Sequence, residues 1–164
     1  MDGGRWIWKQ AKEKFAEATQ ILDFYHAAEH LSEIAKARYG AQTPKADKWF
    51  DARCEDFLEG RHQAVMKSVR AWRSVEQAHI KIKHDNLGYF KRNRGRMHYD
   101  LYRAKHMHIG SGIAESACKC LVQARLKQSG MRWTQTGAES ILQLRRLWLD
   151  APDTDFGQYA RMTA

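Results

Sequence analysis

Three successive stretches of the chain repeat one pattern, with apolar residues three or four positions apart and then a stop. Ala27, Leu31, Ile34 and Ala35 share one helical face, and the run ends at Gly40, a residue suited to closing a helix. After a loop around Pro44, Trp49, Phe50, Cys54, Phe57 and Leu58 form a second such face, ended by Gly60. Val65, Val69, Trp72 and Val75 form a third. Upstream, "RWIWKQAKEKFAEA" places Trp8, Ala11 and Phe15 together. Downstream, Ile80 to Lys105 reads as helical with a weak point at "RNRGRM", and "HMHIGSG" as a loop. "IAESACKCLVQARLKQSG" predicts a helix with Ile113, Ala117, Leu121 and Ala124 inward, and "TGAESILQLRRLWL" the last helix, before Pro152 and a loose tail. Only "QILDFY" has the form of a buried strand, over Ile21 to Tyr25. The pattern therefore predicts a mainly α chain with minimal sheet.

A chain of 164 residues, 43% of them apolar, fits one domain and can bury a core. No run approaches a membrane-spanning length, and "MDGGRWIWKQAKEKF" lacks the apolar centre of a signal peptide. Cys54, Cys118 and Cys120 are an odd number without a Cys-x-x-Cys pair, which points to reduced thiols and a cytoplasmic location.

Charge is unevenly spread. The whole chain has 28 Lys/Arg and 19 Asp/Glu. Of these, 12 basic and 3 acidic residues lie between His79 and Arg132, leaving 16 against 16 elsewhere. One segment thus holds the entire excess of +9, and a polyanion is the partner it suggests, against the plainer reading of a solvated basic face. A membrane surface fits less well, because no clean apolar face opposes the charge. Within the segment, "YFKRNRGRMHYDLYRAKH" interleaves Arg92, Arg94, Arg96 and Arg103 with Tyr89, Phe90, Tyr99 and Tyr102. The guanidinium groups suit phosphate binding; the rings either stack on splayed bases or pack in the core, as helical spacing favours. Lys119, Arg125, Lys127 and Arg132 extend the basic series.

Two motifs bear on chemistry. "HAAEH" has the His26-x-x-Glu29-His30 order of an inverted zinc peptidase motif, for which Glu76 is a candidate third ligand. In "HIGSGIAE", Gly110 and Gly112 precede a helix whose first turn carries Glu115, with Lys119 and Arg125 following; a glycine loop with a dipole-favoured carboxylate is the plain account.

Taken together, "DGGRWIW" (Asp2 to Trp8), "QILDFYHAAEHL" (Gln20 to Leu31), "RMHYDLY" (Arg96 to Tyr102), "IGSGIAESACKCLVQARLKQSGMRW" (Ile109 to Trp133) and "GAESILQLRRL" (Gly137 to Leu147) resemble, in order and spacing, the C-terminal part of ISKra-type insertion-sequence transposases. These are DDE enzymes with RNase H-like cores. The long fourth block is the most specific.

The resemblance implies a metal-dependent DNA strand cleavage and transfer chemistry, in which three acids hold two Mg²⁺ or Mn²⁺ ions. Asp2 matches the second acid and Glu115 the third, both as catalytic metal ligands; Asp23 and His26 match a supporting Asp-x-x-His element, and Lys119 lies near Glu115 in the same block. The element also gives His26 a role other than zinc binding, although the peptidase reading stays as an alternative. The first acid and the opening strands of the family have no match, so the expectation is a truncated or split transposase, inactive alone. A non-catalytic helical DNA-binding module of the same descent is the alternative. The implied architecture is a remnant of an RNase H-like core at 1–29, a bundle-like helical insertion at 30–105, C-terminal core helices with the third acid at 106–150 and a loose tail at 151–164. The implied partners are DNA in the nucleoid and either a chain supplying the missing half or a second copy. Missing core strands would leave Trp6, Ile7 and Ile21 to Tyr25 as an apolar patch that promotes self-association.

Overall fold

The computed structural model describes residues 5–150. It is mainly helical, with no strand among the described residues. Two compact units divide the chain, residues 1–111 and residues 112–164. The expected second acid, Asp2, and the expected tail at 151–164 lie outside the described residues.

The first unit contains α1 (Arg5–Lys14), α2 (Phe24–Tyr39), α3 (Pro44–Leu58), α4 (His62–Ala71), α5 (Gln77–Asn93), a 3₁₀ turn (Arg94–Arg96) and α6 (Tyr99–Ala104). Helix α2 packs on α3, α3 on α4, α4 on α5 and α5 back on α2, a closed ring of four helices, while α6 packs on α3. Local chemistry sets the corners. Asp23 caps α2, its carboxylate accepting from the backbone N–H of Tyr25 at 2.7 Å and of His26 at 3.3 Å. Thr43 Oγ1 accepts from Ala46 N–H at the start of α3, where Pro44 occupies the first turn. Between α3 and α4, Gly60 takes φ +72°, and a Cβ there would meet the Asp100 carboxylate at 2.6 Å. Buried Asp56 fastens the same corner, pairing with Arg53 at 2.7 Å and Arg61 at 2.8 Å. Lys83 Nζ donates to the Arg70 and Trp72 carbonyls at the end of α4.

The core joins Trp8 and Leu22 to Leu31 and Ile34 of α2, Trp49 and Phe57 of α3, Val65 and Val69 of α4, Phe90 of α5, and Tyr99. Full burial of such side chains contributes about 1.5–3 kcal/mol each. Residues assigned from sequence to 1–29 and to 30–105 share this one core. At its edge buried Asn86 gathers three partners: its Oδ1 lies 2.6 Å from His30 Nδ1, and its Nδ2 donates to Glu33 at 2.9 Å and to the Ile82 carbonyl at 2.8 Å.

Several expectations are corrected here. Ile21 to Tyr25 is not a strand: residues 21–23 run without regular structure, and the Asp23 cap turns Phe24 and Tyr25 into the start of α2. Leu22 is nonetheless fully buried, so the expected apolar patch is reduced to Trp6 and Tyr25, which are exposed. Val75 leaves its stripe because α4 ends at Ala71 and Trp72 turns to an extended backbone; Val75 is 97% exposed. Phe15 lies just past α1 and is exposed as well. Cys54 is half-buried and its thiol is pushed up to about 11 by burial and then by Asp51, whereas Cys118 and Cys120 are exposed.

The second unit contains α7 (Gly112–Cys118), which runs through a π-helical turn (Lys119–Gln123) into α8 (Ala124–Leu126), and then α9 (Gln135–Asp150). Arg145 of α9 donates to the Leu121 carbonyl at 3.0 Å and to the Cys120 carbonyl. No described residue of this unit is buried. The predicted inward face of Ile113, Ala117, Leu121 and Ala124 is corrected: Ile113, Ala117 and Ala124 are exposed and Leu121 is only partly covered.

Candidate nucleic-acid interface

Asp23 does more than cap α2. Its second oxygen accepts from the Ser111 backbone N–H at 2.6 Å, across 88 residues of chain. Phe24 N–H donates to the Ile109 carbonyl at 2.8 Å, and Leu22 N–H to the Arg96 carbonyl at 2.9 Å. Residues 23–24 and 109–111 are therefore joined, and the chain between them leaves from and returns to adjacent points. Burial works to raise the pKa of Asp23, but hydrogen bonds from Ser111, His26 and Tyr25 outweigh it and hold the carboxyl below its ordinary range.

The His26 ring is turned elsewhere, its Nδ1 lying 3.0 Å from Glu29 Oε2. His30 instead stacks on Tyr89 at 3.7 Å and bonds Asn86. Glu76 pairs with His79 at 3.2 Å. Within the zinc reading, His26 and Glu29 thus bond each other while His30 and Glu76 are held by other neighbours, and no group of three potential metal ligands gathers among the described residues. The same observation bears on Mg²⁺ or Mn²⁺. Glu115 lies in the first turn of α7 in the second unit, Asp2 lies outside the described residues, and Asp23 already accepts several N–H donors. The described residues do not build a two-metal carboxylate cage, whose octahedral geometry is demanding.

The basic run of the first unit separates cleanly by side-chain type. Tyr89, Phe90, Tyr99 and Tyr102 are all buried, with Tyr99 edge-on to Phe24 at 5.4 Å and Phe90 edge-on to Phe57 at 5.3 Å. Of the two readings of these rings, core packing is the one the fold realises. Burial raises the pKa of Tyr99 and Tyr102. Arg92, Arg94 and Arg103 are exposed between them. Arg96 is half-buried, its guanidinium 4.3 Å over the Trp8 ring and its Nε donating to Gln20 at 2.9 Å. It ties α1 to the turn, a cation–π contact as well as a charge. Arg92 and Arg96 also line an open groove of about 370 Å³ with Thr19, Gln20, Gly95 and Tyr102. In the second unit, Lys119, Arg125, Lys127 and Arg132 are exposed.

Sequence reading did not single out three further residues of this region. Lys91 belongs to the same basic run and is exposed. Arg70 ends α4, with no motif to mark it. His62 accepts from Arg94 Nε at 3.3 Å and lies edge-on to His98 at 5.8 Å; only the fold brings these residues together. Another concavity, about 830 Å³ along Trp72, Val75 and Ile80, shares no residue with the run from Tyr89 to His106 or with the Asp23–Ser111 junction. No described helix is long and apolar enough to cross a membrane.

Comparison with protein-family models, with curated proteins and with solved structures finds no match.

Proposed function

We propose that this chain is a DNA-binding part of a DDE-type transposase of the ISKra kind, carrying pieces of an RNase H-like core interrupted by a helical insertion. The observation that carries the reading is the junction at Asp23. The two blocks that resemble core motifs, "QILDFYHAAEHL" and "IGSG", are joined by Asp23 to Ser111 and Phe24 to Ile109, although most of the first unit intervenes. An insertion between two core segments has to leave and return at adjacent points, and α2 to α6 do so. In this reading Arg92, Arg94 and Arg103, with Lys91, hold phosphates, while Asp2 and Glu115 would bind the catalytic cations together with a first acid that has no match in these residues.

A non-catalytic DNA-binding helical module is the second reading. It is favoured by the location of these exposed arginines on a unit with its own closed core.

Both readings require DNA binding that weakens with salt. Fluorescence-anisotropy titrations on duplex DNA at several salt concentrations should give a steep log–log slope, about −0.9 per phosphate neutralised. Replacing Arg92, Arg94 and Arg103 together by alanine should reduce that slope by about two to three and weaken all sequences alike. An unchanged slope would remove this face from DNA binding, and absence of binding at low salt would remove both readings. A plasmid-nicking assay with Mg²⁺, run in the presence of a chain that supplies the first acid, separates them: nicking abolished by Glu115→Gln supports the catalytic reading, and Glu115-independent behaviour supports the module.

A further inference from the structure

Beside the exposed arginines lies a small cavity of about 130 Å³, enclosed by α3, α4, α5 and the turn that follows. Its floor is apolar, formed by Phe57, Met66, Phe90 and Met97. Its rim carries Arg70, Lys91 and Arg94, with His62 beside Arg94 and no carboxylate among the described lining residues. Pockets for drug-sized ligands span roughly 300–1,000 Å³, so this one suits a single flat ring. Two features prepare it for a ring that carries an anion. Phe57 and Phe90 are locked edge-to-face at 5.3 Å with their planes 71° apart, which fixes the apolar floor. The Nε of Arg94 donates to His62 Nε2 at 3.3 Å, which anchors the guanidinium at the mouth and leaves its terminal nitrogens for a phosphate. His62 suits that contact, because burial, then Arg94 and His98, lower its pKa and favour the neutral ring that can accept.

We infer that this cavity binds one unstacked nucleotide, its base against Phe57, Phe90 and the two methionines and its phosphate at Arg94, Lys91 and Arg70. An apolar cavity of single-ring size under a cluster of three cations matches a base with its phosphate better than it matches a neutral ring. The nucleotide comes either from an unpaired stretch of DNA or from solution. The first source rests on the DNA reading above; the chemistry at the cavity is the same for both.

The test uses the full chain and three probes. These are a fully paired duplex, the same duplex with two unpaired thymidines at its centre, and free thymidine monophosphate, the first two followed by anisotropy at one salt concentration and the last by calorimetry. The unpaired duplex should bind about tenfold more tightly than the paired one, the order of effect for seating one base against protein side chains. Met66→Phe, which fills the cavity, should abolish that preference while leaving affinity for the paired duplex unchanged. Its circular dichroism verifies folding. Independently of any variant, 5-iodouracil at the unpaired position of the wild-type complex should crosslink to peptides containing Met66, Phe90 or Met97. Thymidine monophosphate binding that Met66→Phe removes, without a preference between duplexes, identifies the free nucleotide as the ligand. Equal affinity for both duplexes with no binding of the monophosphate overturns the cavity and leaves duplex binding standing. A preference retained by folded Met66→Phe, or crosslinks confined to other peptides, also overturns it. Monophosphate binding without any duplex binding upholds the cavity and overturns the DNA reading.

Discussion

The two units use the same kind of sequence and reach different states. In the first, apolar stripes on α2, α3 and α4 close on one another, and Leu31, Ile34, Phe57, Val65 and Val69 are almost wholly buried. In the second, α9 carries Leu144, Trp148 and Leu149 at comparable spacing, yet these side chains are 48%, 61% and 50% exposed. Helical periodicity states which residues share a face. It does not state whether another face exists to cover them. The first unit supplies that cover from four successive helices and from buried polar anchors such as Asn86. The described part of the second consists of one helical run and α9, tied by Arg145 to the Leu121 and Cys120 carbonyls.

The largest effect is expected in the closed core. Phe57→Ala removes a ring that touches Phe90 and Tyr99, and should destabilise the first unit by about 3–5 kcal/mol in urea unfolding. A loss below about 1 kcal/mol would mean that this core is not packed as described.

A smaller effect is expected at the junction. Asp23→Asn should cost about 1–3 kcal/mol at neutral pH, since hydrogen bonds to a charged, buried acceptor are weakened. The sign of its pH dependence follows from the lowered pKa. Such a carboxylate contributes stability above the unfolded value near 3.8, and the contribution is lost as pH falls through the folded value. The stability gap between wild type and variant should therefore narrow below about pH 4. A gap that stays constant from neutral to strongly acidic solution would show that the Asp23 charge does not hold the Ser111 loop.

The smallest effect is expected in the second unit. Leu144→Ala should change stability by no more than about 0.5 kcal/mol, as for an exposed side chain. A loss as large as that at Phe57 would erase the contrast between the units.

How much of this was legible in sequence depends on the range of the interaction. Stripes ended by glycine read correctly, because spacing and termination are local: α2 ends at Gly40 with φ +88°, and α3 is followed by Gly60. The break at "RNRGRM" likewise corresponds to the 3₁₀ turn between α5 and α6. "QILDFY" misled because its apolar run resembles a strand, while one side chain, Asp23, redirects the backbone into a helix. Val75 misled because periodicity continues past the point where α4 stops. The tie from Asp23 to Ser111 and the gathering of His30 and Glu33 around Asn86 join residues far apart in the chain, and no local spacing encodes them. Among the candidate DNA contacts, the arginine-aromatic alternation was legible, but its division into buried rings and exposed guanidinium groups required the fold. Arg96 shows the limit most clearly, since its neighbours Trp8 and Gln20 lie in a distant part of the sequence.

Residue-resolved hydrogen exchange under native conditions tests the contrast between the units most directly. Amides of Leu31, Ile34, Val69 and Phe90 should exchange only through global unfolding of the first unit, and those of α7 and α9 through openings of much lower free energy. Equal protection in α2 to α5 and in α7 and α9 would contradict the account.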